Sequence, residues 1–248
     1  MTPPNLHVIR DGALSGAENM ARDEYLFHCD AARPAALRIY AWNPPTISLG
    51  YFQSIAAIAQ LATQLQQLDV VRRATGGGAI LHDREITYCL TIDDSLPAGR
   101  AAPAELYRLA HTCWRDVLAA DGLQSELAPD EFPFPSPRSG PFFCFEKPGR
   151  TDLVIGHEKL LGSAQRRIPG RVLQHGSLLL GRRFAEHPGV DLHDPPPARV
   201  DQWIAQFVTL VAQRLELTPV AWNWPDDATA DIAQRRAHHL SDAWKRLR

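Results

Sequence analysis

The feature that most constrains this chain is the segment RRATGGGAILHD, residues 72–83, which runs directly into EITYCLTI. Three consecutive glycines weaken any strand or helix they interrupt. Such a run marks close backbone approach, a sharp bend or a bound group. The segment after it alternates, with Ile86, Tyr88, Leu90 and Ile92 on one side, the pattern of a half-buried strand. The glycines are not a P-loop, since no Gly-Lys-Ser/Thr comes after them, and not a dinucleotide fingerprint, which would open a helix. Backbone at Gly76, Gly77 and Gly78 therefore has to lie against something, beside the fixed charge of Arg72 and Arg73.

Composition narrows the class. The chain has 248 residues, 45% hydrophobic and 22% charged, which suits a soluble globular protein of one sizeable domain. Its longest apolar runs, AIAQLA and GSLLLG, fall far short of the ~20 residues of a membrane-spanning helix. MTPPNLHVIRDG lacks the basic patch and apolar core of a signal peptide, so a cytoplasmic protein with no membrane partner is expected. A net charge of −2 argues against a nucleic-acid partner. Of the four cysteines, Cys29, Cys89, Cys113 and Cys144, none shows C-x-x-C or zinc spacing, so reduced thiols and no metal site are expected.

NLHVIR reads as a strand and SGAENMARDEYLFHC as a helix; ALRIYAW and TISLG read as strands across the turn at Asn43-Pro44-Pro45. Ile55, Ile58, Ala62, Leu65 and Leu68 fall at helical spacing and predict a helix over 53–68. DVVRR reads as a strand before the glycines, and AILHDREITYCLTI follows them. Pro103 opens a helix with Leu106, Ala110, Cys113 and Val117 on its core stripe, and Gly122 stops it. Residues 129–149, crowded with Pro, Gly and aromatic side chains, read as a long irregular loop of the kind that carries function. A β-meander over TDLVIG, EKLLGSAQRR and RVLQHGSLLLG precedes two closing helices, 200–215 and 226–247. This mixed order predicts one α+β domain, a mixed or antiparallel sheet flanked by helices.

Three positions invite chemistry. Cys29, Cys89 and Cys113 lie on regular elements and read as small buried hydrophobes. Cys144 sits in the Pro/Gly loop with Arg138, Lys147 and Arg150 nearby, surroundings that make a thiol nucleophilic; Phe142, Phe143 and Phe145 equally suit a packed plug. Lys159 on EKLLGSAQRR reads either as an exposed strand lysine or as an ammonium aimed at an acyl or phosphate oxygen. His82 and Asp83 are adjacent on a strand and point to opposite faces, so they do not form a base and its orienter.

Taken together, these segments resemble the biotin/lipoate protein ligase and acyltransferase superfamily. The resemblance rests on RRATGGGAILHD with EITYCL, on NMARDEYL and AWNPPTISLGYFQ, and on CFEKPGRTDLVIGHEKLLGSAQRRIPGRVLQHGSLLL, in order over residues 16–180. It implies the catalytic-domain fold of that superfamily over the whole of 1–248, with no accessory C-terminal domain. Within it the chain is most similar to the cysteine-dependent octanoyltransferases, which move octanoate from acyl carrier protein to a lysine of a lipoyl domain without a cofactor. That similarity implies Cys144 as nucleophile and Lys159 as active-site cation. It implies substrate contacts from Arg72, Arg73, Gly76, Gly77, Gly78, His82, Ser163 and Gln165. An acyl chain would lie in a tunnel that side chains at Gly76 to Gly78 would block. The alternative is the ATP- and Mg-dependent lipoate–protein ligase, which Gly78 resembles, whereas HDREITY and Cys144 resemble the transferases.

Overall fold

The computed structural model describes residues 3–28, 33–129, 131–132 and 141–247. In chain order it contains β1 (Asn5–Leu14), α1 (Gly16–His28), β2 (Ala35–Trp42), β3 (Thr46–Leu49), α2 (Thr63–Gln66), β4 (Asp69–Arg72), β5 (Ile80–His82) and β6 (Glu85–Asp93). Then come α3 (Pro97–Arg100), α4 (Pro103–Ala120), β7 (Glu126–Leu127), β8 (Leu153–Ile155), β9 (Glu158–Ile168) and β10 (Arg171–Leu179). The chain continues through α5 (Pro197–Leu215), β11 (Thr218–Ala221), α6 (Ala228–Leu240) and α7 (Asp242–Lys245). The large sheet runs β11-β1-β2-β6-β10-β9-β8-β7, and a small one runs β4-β3-β5. β11, β1 and β2 are mutually parallel, while the other neighbours in the large sheet are antiparallel. The fold is α+β with a mixed sheet flanked by helices.

Parallel β1 and β2 need a crossover, and α1 supplies it. The two faces of the large sheet are then covered by different helices. Leu37, Ile39, Tyr88 and Leu90 project under α4 and α5, against Trp114, Trp203 and Phe207. Tyr40, Cys89 and Leu173 project the other way, against Met20 and Phe27 of α1. β6 is therefore buried on both faces, not on one as its alternation predicts, because Thr87, Cys89 and Thr91 are also enclosed.

Two other expectations are corrected. The helix predicted over 53–68 is a 3₁₀ segment (Ile55–Gln60) and the single turn α2, interrupted at extended Leu61 and Ala62. Its apolar residues still pack, on Ile47, Leu49 and Leu81 of the small sheet. The closing helices are reset: α5 begins at Pro197, where proline suits a helix's first turn, and the last region divides into α6 and α7 at Ser241. Between α5 and α6 lies β11, which the sequence reading missed.

Candidate active site

The loop that carries Cys144 is stitched to the glycine segment by backbone. Cys144 N donates to Ala79 O and Ala79 N donates to Phe142 O, both at 2.8 Å, a one-residue parallel bridge. Gln53 reinforces it, donating through Nε2 to Phe142 O at 3.0 Å. Phe143 and Phe145 are buried, so the segment is a packed plug that also holds Cys144, half-buried, at a cavity wall. Cys89 and Cys113 are fully buried, and burial pushes both thiols up, Cys113 to about 11. Cys29 and Arg138 lie outside the described residues.

Lys159 comes to the same wall from the sheet. Its side chain is 1% exposed, which removes the exposed-lysine reading. Nζ lies 3.2 Å from Cys144 Sγ and 2.8 Å from Asp152 Oδ2, and Asp152 also accepts the Gly149 N–H at 2.7 Å. Desolvation opposes the ammonium, but Asp152 and Cys144 outweigh it and raise the Lys159 pKa above its ordinary value. Paired with Asp152 at 2.8 Å, Lys159 presents its ammonium to the Cys144 sulfur. It folds across Gly162, where a Cβ would stand 2.2 Å from its Cε, so the glycine three residues on makes room for the lysine.

The glycines meet different needs. Gly77 takes φ of +93°, which L side chains rarely adopt. At Gly78 a Cβ would press to 3.0 Å on Cys144 N and 3.2 Å on Cys144 Cα, so this position admits the nucleophile's own loop. Gly76 has room, with Phe52 at 3.9 Å. Gly76 and Gly77 line the cavity, whereas Gly78 packs behind it, against the Cys144 loop.

The two arginines also separate. Arg72 does not face the cavity: its guanidinium is buried on the carbonyls of Gly50, Tyr51, Gln53, Trp244 and Lys245, pinning α7 to the start of the glycine segment. This corrects its expected contact with substrate. Arg73 lines the cavity, donating to Ser48 O, Ser48 Oγ, Gly76 O and Gly78 O; its Nε has no hydrogen-bond partner among the described residues, and burial lowers its pKa to about 10.

The outer cavity, of ≈ 200 Å³, places Cys144, Lys159, Asp152, Ser163 and Gln165 together. A narrow inner void of ≈ 20 Å³ shares Arg73, Ile80 and Ala164 with it and runs in between Met20, Trp42 and His175. His82 belongs to the inner void, stacked on Trp42 at 3.7 Å and hydrogen-bonded to Ser48 and Glu85. Its carboxylate partner is Glu85, while Asp83 faces Arg183. Ser163 Oγ is engaged by Tyr88 and His111, and Gln165 by Gln174 and Pro103 O. The sequence reading missed Asp152 and His111; the only signal for Asp152 was its place next to the lysine strand.

Residues 15–190 match the model of the lipoyl protein ligase A/B catalytic domain. The chain is similar to octanoyltransferase LipM of Geobacillus kaustophilus, 39% identical over 180 residues, 69% of this chain and 64% of that protein. It thus spans just under two thirds of that relative's length. It is also similar to octanoyltransferase LipM of Kyrpidia tusciae, 33% identical over a 276-residue alignment covering 96% of this chain and 97% of that one. Among solved structures, a putative lipoate protein ligase from T. acidophilum superposes with a TM-score of 0.78 at 15% identity, covering 98% of this chain and 99% of that one. Lipoate-protein ligase A bound with ATP superposes with a TM-score of 0.77 at 14% identity, covering 98% of each chain. At such identities the superpositions establish the fold.

Proposed function

The chain belongs to the lipoyl protein ligase A/B catalytic-domain family, and from that premise we propose that it transfers an octanoyl group from acyl carrier protein to a lysine of a lipoyl domain through a thioester on Cys144. The observation that carries this reading is the Lys159 ammonium 3.2 Å from the Cys144 sulfur at the wall of one cavity. Relatives that are octanoyltransferases support it.

In the first step the Cys144 thiolate, stabilised by Lys159, attacks the thioester carbonyl of the donor. A new C–S bond forms, the developing oxyanion lies beside the ammonium, and the carrier's thiolate leaves and takes up a proton. In the second step the neutral amine of the acceptor lysine attacks the acyl-enzyme, the amide forms, and the Cys144 thiolate leaves. The proton lost by the amine balances the one taken up by the carrier thiol. An octanoyl tail running past Ile80 and Ala164, which line both cavities, toward Met20 and Trp42 has to widen the narrow inner void. Gly78, the ligase-like position, makes room for the Cys144 loop.

The scheme uses neither nucleotide nor metal, because a thioester is already activated. The purified chain should modify a lipoyl domain from octanoyl-acyl carrier protein without ATP, with little product from free lipoate plus ATP and Mg. Cys144→Ala should lower the thioester-dependent rate by about 10³-fold or more. Efficient ATP-dependent use of free lipoate, unchanged in Cys144→Ala, would make the chain a ligase instead.

A further inference from the structure

Thr151 has φ of 72° and is buried, a left-handed conformation that a β-branched residue adopts only when its surroundings impose it. The next residue is Asp152, the partner of Lys159. Asp152 N donates to Gly149 O at 3.1 Å, closing a turn with Thr151 as its third residue, and a side chain from α4 adds a second hold on that residue. His111, fully buried, places Nδ1 2.5 Å from Thr151 O and Nε2 2.6 Å from Ser163 Oγ.

The partners fix every proton in this group. A carbonyl only accepts, so Nδ1 carries the hydrogen. Burial lowers the His111 pKa and keeps the ring neutral, so Nε2 accepts the Ser163 O–H. Ser163 Oγ then accepts from Tyr88 O–H at 2.7 Å, and the Tyr88 oxygen accepts from Gln174 Nε2 at 2.8 Å. No member can turn without leaving a buried group unpaired.

We infer that His111 is a positioning residue: by holding the Thr151 carbonyl it locks the Gly149–Asp152 turn, and through Asp152 it helps fix the Lys159 ammonium beside Cys144. The catalytic consequence rests on the transferase reading; the hold on Thr151 does not.

The test uses His111→Gln, which loses the donor at the Nδ1 position, and His111→Asn, which keeps one there. Single-turnover acylation of Cys144 by octanoyl-acyl carrier protein should fall about tenfold in His111→Gln, the equivalent of about 1.4 kcal/mol, and return to within about threefold in His111→Asn. In a Thr151→Gly chain, where left-handed backbone carries no Cβ penalty, the His111→Gln loss should shrink to about twofold. A space-filling role predicts equal losses for Gln and Asn and no change on Thr151→Gly, and either result overturns the inference. Urea unfolding of the unaltered chain, His111→Gln, Thr151→Gly and the double variant reads the same coupling without any acyl donor. No adduct on the unaltered chain, with that coupling present, would sink the transferase reading and leave the hold on Thr151 standing. An adduct without coupling would sink the positioning role.

Discussion

The two faces of the large sheet both bring a buried polar network to the candidate site, and the networks are built from opposite materials. Under α1 the network is ionic. Arg38 donates to Asp11 and Asp23 at 2.6 and 2.7 Å, Tyr40 donates to Asp23, and His175 links Asp23 to Thr75 Oγ in the glycine segment. Burial alone would push Asp23 up, yet its His175 hydrogen bond and Arg38 hold it below the ordinary carboxylate range. Under α4 the network is neutral: His111, Ser163, Tyr88, Gln174 and Gln165 pass hydrogen bonds from the lysine strand to Thr151. One network reaches the glycine segment at Thr75, and the other reaches Thr151, next to Asp152, the partner of Lys159. Their difference teaches how each should fail. Removing a partner from the ionic network strands buried charge, whereas removing one from the neutral network leaves an unpaired dipole.

The largest effect is therefore expected under α1. Arg38→Met leaves buried Asp23 without its arginine and Asp11 with Arg22 alone, at 3.0 Å, and should destabilise the fold by about 3–5 kcal/mol in urea unfolding. Ser163→Ala removes the donor to His111 and the acceptor for Tyr88, and should cost about 1–3 kcal/mol. If Ser163→Ala proves as costly as Arg38→Met, the contrast between the faces is lost.

The smallest effect separates the faces by pH. The folded pKa of His111 lies below the unfolded value of 6.5, so below that value the unfolded chain binds more protons. Stability from this group is complete above 6.5 and declines as pH falls toward the folded pKa. Asp11 and Asp23 are depressed from 3.8, so their contribution persists to about that pH and is lost only as acid titrates the folded carboxylates. His7, His28 and His82 are also lowered and decline in the same window as His111. The comparison that isolates His111 is unfolding free energy at pH 6.5 and 5 in the unaltered chain and in His111→Asn. The variant should lose less, and an equal loss would remove His111 from the account.

Much of this was legible in the sequence where the signal is local. The alternation of Ile86, Tyr88, Leu90 and Ile92 located β6, and the Lys159–Gly162 spacing lay on a strand as read. Partners distant in sequence were not legible. β11 pairs with β1 across nearly the whole chain, and Pro219 within it is tolerated because the strand is at an edge. Arg72 and Arg73 are neighbours of one chemistry, and only the packing of α7 decides that one is structural while the other reaches the cavity. His111 sits among the apolar residues of α4, where sequence gives no hint that its partner lies forty residues away in Thr151.

The central claim is that Cys144 beside Lys159 is the acyl-transfer centre, and the acyl-enzyme tests it most directly. Intact and peptide mass spectrometry after brief exposure to octanoyl-acyl carrier protein, with no nucleotide and no acceptor, should find one octanoyl group, on Cys144. Adding a lipoyl domain should discharge it to a lysine of that domain. An octanoyl group found on Cys89 or Cys113, or no adduct while the domain is still modified, would contradict the account.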